Sequence, residues 1–90
     1  MVTTTRLRIL RLKYRIPLSE LQKHCGFSYQ YISQLELGNT GRTVRNERAL
    51  SKAMKEVIAS RRTAVDKLEQ EFLAFSEQLL KPMEVESDEL

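Results

Sequence analysis

The sequence predicts an all-α fold, a compact four-helix body continued by a long C-terminal amphipathic helix. Glycine stands only at 26, 38 and 41 and proline only at 17 and 82, so the breakers fall at few places and leave helix-length intervals between them. Within those intervals apolar residues recur at steps of three and four, the helical period, and no strand is required. With 90 residues, 41% of them apolar and 30% charged, the chain suits one small domain plus an appendage, neither two cores nor a disordered or fibrous polymer.

Thr5 is placed to cap a first helix in which Leu7, Leu10 and Tyr14 share one face, with Arg8, Arg11, Lys13 and Arg15 interspersed. Proline suits a first turn, so Pro17 or Leu18 opens a second helix through Cys25, with Leu18, Leu21 and Cys25 inward and Gly26 as its end. Ser28 is a good cap for a third helix over Tyr29 to Leu37. Ile32 and Leu35 face inward there, helped by Phe27 and by Tyr31 as a lid, and Gly38 supplies the stop.

After the polar loop from Asn39 to Arg42, no glycine or proline follows Thr43 until Pro82. A continuous helix from Asn46 to Lys81 would be about 54 Å long, more than one small core covers. Its first half offers Leu50, Ala53, Met54 and Val57 to the body. Its second half carries Ile58, Val65, Leu68, Phe72, Phe75 and Leu79 at steps of seven, three, four, three and four, an a/d seam with one place near Arg61 or Arg62 and a candidate dimer interface. Thr63 with Asp66 matches a capping box, so a restart at Thr63 is the alternative. These readings divide the chain into a body over 1–57, an amphipathic helix over 58–81 and an acidic, fraying tail over 82–90.

Charge is divided in the same way. Residues 1–62 carry thirteen Lys or Arg against four acids, a balance of +9, and residues 63–90 carry two against eight, a balance of −6. The first part suits a polyanion, and the acidic segment suits a different, protein partner. The longest apolar runs are far short of the ~20 residues that cross a bilayer, and Met1 to Arg8 lack a signal's apolar stretch, so no membrane association and a cytoplasmic location are expected. The ending Ser87-Asp88-Glu89-Leu90 is similar to a reticulum-retrieval tail, which has no meaning outside that compartment. One cysteine, Cys25, and one histidine, His24, make neither a disulfide nor a zinc site. With no base beside Ser19, no phosphate-cradling glycine loop and no HExxH, neither catalysis, a metal nor a cofactor is expected.

Leu7-Arg8-Ile9-Leu10-Arg11, then Leu21, and then Gly26-x-Ser28-x-x-x-Ile32-x-x-Leu35-Glu36-x-Gly38 resemble the helix-turn-helix of the Cro/repressor (xenobiotic-response-element) family over roughly residues 6–54. The resemblance implies a lambda-repressor-like body whose third helix enters the major groove of double-stranded DNA, with Tyr29, Gln30, Ser33 and Gln34 toward the bases. A glutamine amide offers one donor and one acceptor, which match the adenine N6 and N7 edge. It further implies a structural ion pair between Arg11 and Glu36. Phosphate contacts are expected from Ser28, Asn39, Thr40, Arg42, Thr43 and Arg45, which position the protein without reading sequence; for Tyr31 the lid is the favoured reading and phosphate donation the alternative.

The chain departs from the family at Leu18, where a phosphate-clamping Gln is frequent, at Pro17, and in a loop after Gly38 about one residue longer. Members usually bind two half-sites as homodimers, which gives the Ile58 to Leu79 seam its expected role; packing on the chain's own body is the alternative. The leading reading is a homodimeric DNA-binding regulator, a repressor of phage, plasmid or mobile-element type. An antitoxin with an acidic toxin-binding segment, or an adaptor with a vestigial helix-turn-helix, are the competing ones.

Overall fold

The computed structural model describes residues 3–39 and 41–85. Thr40 and residues 86–90, including the Ser87 to Leu90 ending, lie outside them. The described residues form four helices and no strand: α1 (Arg6–Lys13), α2 (Leu18–Gln22), α3 (Tyr29–Glu36) and α4 (Val44–Ala74).

Thr5 begins α1 with a hydroxyl that accepts from the Arg8 amide at 3.4 Å and donates to the Glu36 carbonyl at 2.7 Å, tying the start of α1 to the end of α3. The end of α1 is closed by the Ile16 amide on the Arg11 carbonyl at 2.8 Å and the Arg15 amide on the Leu12 carbonyl at 3.4 Å. That double closure needs a left-handed residue, and Arg15 takes it at φ 53°. The turn carries Ile16 into the core, where Tyr14 was expected. No residue of α1 is fully buried. Leu7 packs partly against the core, whereas Leu10 and Tyr14 stay exposed on the wall of an open hollow between α1 and α4.

α2 is one short turn and a half, capped by no side chain, with the Glu20 amide on the Pro17 carbonyl at 3.0 Å. It ends at Gln22, three residues before the expected Cys25. The His24 amide turns back onto the Leu21 carbonyl at 3.0 Å, so the chain leaves the helix before Gly26. Gly26 has no left-handed backbone and open space around its Cα, so it does not act as the stop.

α3 closes as its sequence suggests at both ends. Ser28 Oγ accepts from the Tyr31 amide at 3.2 Å. Gly38, at φ 77°, lets its own amide reach the Leu35 carbonyl and the Asn39 amide reach the Gln34 carbonyl, each at 3.1 Å. An added Cβ at Gly38 would meet nothing, so backbone conformation alone asks for glycine there.

Thr43 caps α4 through the Asn46 amide at 3.1 Å. The helix then runs 31 residues without a break, about 46 Å. The Thr63 hydroxyl donates to the Ala59 carbonyl one turn back at 3.2 Å, the bond of a mid-helix threonine, so no capping box forms. α4 also stops at Ala74, short of Lys81, and passes into turns closed by the Phe75–Phe72, Gln78–Phe75 and Lys81–Gln78 backbone bonds. Among the described residues none beyond Val57 is buried, and a helix without packing has little to sustain it.

The core is Ile16, Leu18, Leu21, Ile32, Ala53 and Val57, with Leu7, Cys25, Phe27, Leu50 and Met54 partly buried around it. Leu35 is half-buried. α2 packs on both α3 and α4, so this short helix is what joins the third helix to the long one.

Candidate nucleic-acid interface

Helical geometry places Tyr29, Gln30, Ser33 and Gln34 on one side of α3, since positions three and four apart lie over one another. Tyr29, Gln30 and Gln34 are exposed and Ser33 is half-buried. The opposite side carries Ile32 at 0% exposure and Glu36 at 1%. The four candidate readers therefore form one accessible polar face on a helix whose other face is locked.

Three side chains, Arg11, Thr5 and Tyr31, tie that helix in place. Arg11 grips the Glu36 carboxylate with both prongs of its guanidinium, Nε to Oε2 at 2.8 Å and Nη2 to Oε1 at 3.0 Å, and its third nitrogen donates to the Ile16 carbonyl at 3.2 Å. Thr5 holds the Glu36 carbonyl. Tyr31 packs its ring edge-on against Phe27, centroids 5.0 Å apart, and its hydroxyl accepts from Asn46 Nδ2 at 2.9 Å. Tyr31 is thus a half-exposed lid that spans α3 and α4.

Asn46 is a site residue that the sequence treated only as a helix start. It is 8% exposed, and its amide nitrogen also donates to the Gly41 carbonyl at 3.1 Å, fastening the loop before α4 to α3. No local signal marks it, since one of its partners is fifteen positions away.

The phosphate candidates surround this loop with unequal freedom. Ser28 and Thr43 are exposed, but their oxygens already accept the capping amides. The Asn39 amide is consumed in closing α3, which leaves its exposed side chain alone to meet a phosphate. Arg42 and Arg45 are exposed; Arg42 Nε donates to Glu47 Oε1 at 3.0 Å in a solvated pair of little weight. Thr40 is outside the described residues. Leu18 is a core residue, so its place holds no clamp.

Ile58, Val65, Leu68 and Phe72 run along α4 as an exposed stripe and do not fold onto the chain's own body. Phe75 and Leu79 are exposed too, but they lie beyond the helix and leave the seam two positions shorter than expected. The gap in the seam is occupied by Arg61, whose guanidinium binds Glu20 of α2 at 2.8 and 3.2 Å. The body therefore reaches to Arg61, four residues past its expected boundary. His24 Nδ1 lies 3.1 Å from Glu56 Oε2, a further tie to α4.

Among the described residues no cluster of His, Cys, Asp or Glu could hold a metal, and no helix is long and apolar enough to cross a membrane. No protein-family model matches the chain, and no curated protein or solved structure does either.

Proposed function

We propose that the chain is a sequence-specific, homodimeric DNA-binding transcriptional regulator, a repressor of the phage, plasmid or mobile-element type acting in the cytoplasm, and that α3 reads the major groove. The observation that carries this reading is the rigid presentation of Tyr29, Gln30 and Gln34. A polar helix face kept only for solubility needs no such fixing, yet this one is pinned through Glu36 and Tyr31 and closed at both ends. Preorganised amides lose less freedom on meeting base edges, and each good bidentate contact discriminates by about 1–3 kcal/mol. Arg42 and Arg45 supply nearby positive charge for the backbone, and the Ile58 to Phe72 stripe supplies the contact between two copies.

Selection of bound sequences from random duplex DNA tests the proposal. The expected product is a palindromic consensus with half-sites about one turn, ~34 Å, apart. Its affinity should fall with salt at a log-log slope of about −0.9 per neutralised phosphate. Failure to enrich any sequence, or a complex indifferent to salt, overturns it.

A further inference from the structure

Two adjoining hollows, of about 860 and 520 Å³, lie between α1 and α4 and share Leu10, Met54 and Ile58 in their walls. They form one open apolar groove, which explains why Leu10 and Tyr14 are left at 39% and 57% exposure. The floor of this groove and the free stripe of α4 are one continuous surface. Met54, Ile58, Val65 and Phe72 follow one another on a single helix face, covered by the body at one end and bare at the other.

We infer that the groove receives the outer half of α4 from a second copy of this chain, laid antiparallel, so that each copy covers the other's groove. This inference rests on the homodimer in the function proposed above and specifies its geometry. With Ile58, Val65 and Phe72 as a positions and Arg61 and Leu68 as d positions, an antiparallel pair sets Val65 against Leu68 of the second copy and brings the end of its α4, followed by Phe75, to Ile58. Ile58 then also lies within about one turn of Phe72 of the second copy, beside Leu10 and Tyr14.

Charge selects the direction. The flanking positions are Arg62 and Glu69, and the antiparallel arrangement places Arg62 of each copy beside Glu69 of the other, twice by symmetry. More broadly, it lays the acidic stretch with Asp66, Glu69 and Glu71 along the basic stretch with Lys55, Arg61 and Arg62. A parallel pair would align acid with acid and base with base along the two helices, and would leave the groove beside α1 open.

Cross-linking tests the direction. Ile58→Cys and Phe72→Cys are prepared separately in a Cys25→Ser background; both sites are about half exposed, so folding does not depend on them. A short bismaleimide should yield covalent dimer from the mixed proteins, with each single variant alone giving about tenfold less, because like sites in an antiparallel pair are more than 15 Å apart by helical rise, roughly 16–25 Å. Equal cross-linking of each variant with itself overturns the antiparallel geometry and keeps the homodimer. A chain that sediments as a monomer throughout the micromolar range overturns both; the duplex selection judges DNA reading independently. Leu10→Glu lies off the α4 stripe and should weaken dimerisation about tenfold with unchanged helix content. Unchanged dimerisation by that variant overturns the part given to α1.

Discussion

Arg61 of α4 holds Glu20 of α2 with two bonds, and the same guanidinium donates to the carbonyls of Tyr14 and Arg15, each at 3.3 Å. One side chain thus clasps the end of α1, the start of α2 and the middle of α4, with a cation at the carbonyl end of α1 where the helix dipole favours it. The hydrogen bond from Arg61 is the main cause that holds the Glu20 carboxyl below its ordinary value of 4.5, and it holds Arg61 above its own. A carboxylate ionised more readily in the folded chain stabilises it above about 4.5, and that contribution is lost as the pH falls through the lowered value. Arg61→Ala should therefore lower the melting temperature at neutral pH and lower it less in acid. A loss equal at both would assign the effect to the Tyr14 and Arg15 carbonyls instead.

Glu36 and Arg11 are a different kind of pair, because their side chains are only 1% and 13% exposed. Removing the carboxylate leaves a guanidinium with little water to replace it. Glu36→Ala should cost about 3–5 kcal/mol in urea unfolding, and replacing Glu36 and Arg11 together by apolar residues of similar volume should cost less than either change alone. Strict additivity would mean that the two charges do not depend on each other.

Tyr31→Phe keeps the ring against Phe27 and removes only the acceptor of Asn46 Nδ2, which retains the Gly41 carbonyl. The expected loss is about 0.5–1.5 kcal/mol, the ordinary worth of one hydrogen bond. Asn46→Ala should cost more, since it frees the loop as well as the lid. Thermal melts of the two variants give the comparison.

At Arg15 the left-handed backbone costs an L-residue roughly 1–2 kcal/mol, while glycine there would lose more chain entropy on folding, about 0.4–1 kcal/mol. Arg15→Gly should therefore stabilise the protein by up to about 1 kcal/mol, measured by the urea midpoint. The bond from Arg61 to the residue 15 carbonyl survives the change because it uses only backbone.

The ends of α3 were legible because Ser28 and Gly38 act locally, one through a side-chain oxygen and the other through a positive φ. The end of α1 was not, since Arg15 occupies a position that usually announces itself as glycine, and Gly26 misled because its backbone is ordinary. The end of α4 carries no breaker at all; the helix stops where packing has long since stopped. Arg11 and Glu36 were paired through a family resemblance rather than through spacing. The roles of Asn46 and Arg61 depend on partners up to 47 positions away, which no window of sequence displays. The interruption at Arg61 was visible as a flaw in the heptad, but only the fold shows that the flaw is a contact with the body.

Gln30 and Gln34, four apart on the exposed side of α3, separate base reading from mere attraction to a polyanion. Neither carries charge, so Gln30→Ala with Gln34→Ala leaves the electrostatic field of the +9 segment intact. Binding to random duplex should hardly change and the salt slope should stay as it is. Affinity for the selected consensus should drop by about 1–3 kcal/mol for each lost pair, with preference relaxed at the matching base positions. Arg45→Ala should do the reverse: it weakens consensus and random duplex alike and reduces the slope by about one phosphate. Fluorescence-anisotropy titrations at several salt concentrations distinguish the two patterns. If the glutamine pair lowers affinity uniformly, or not at all, α3 is not the reading element, whatever the basic body binds.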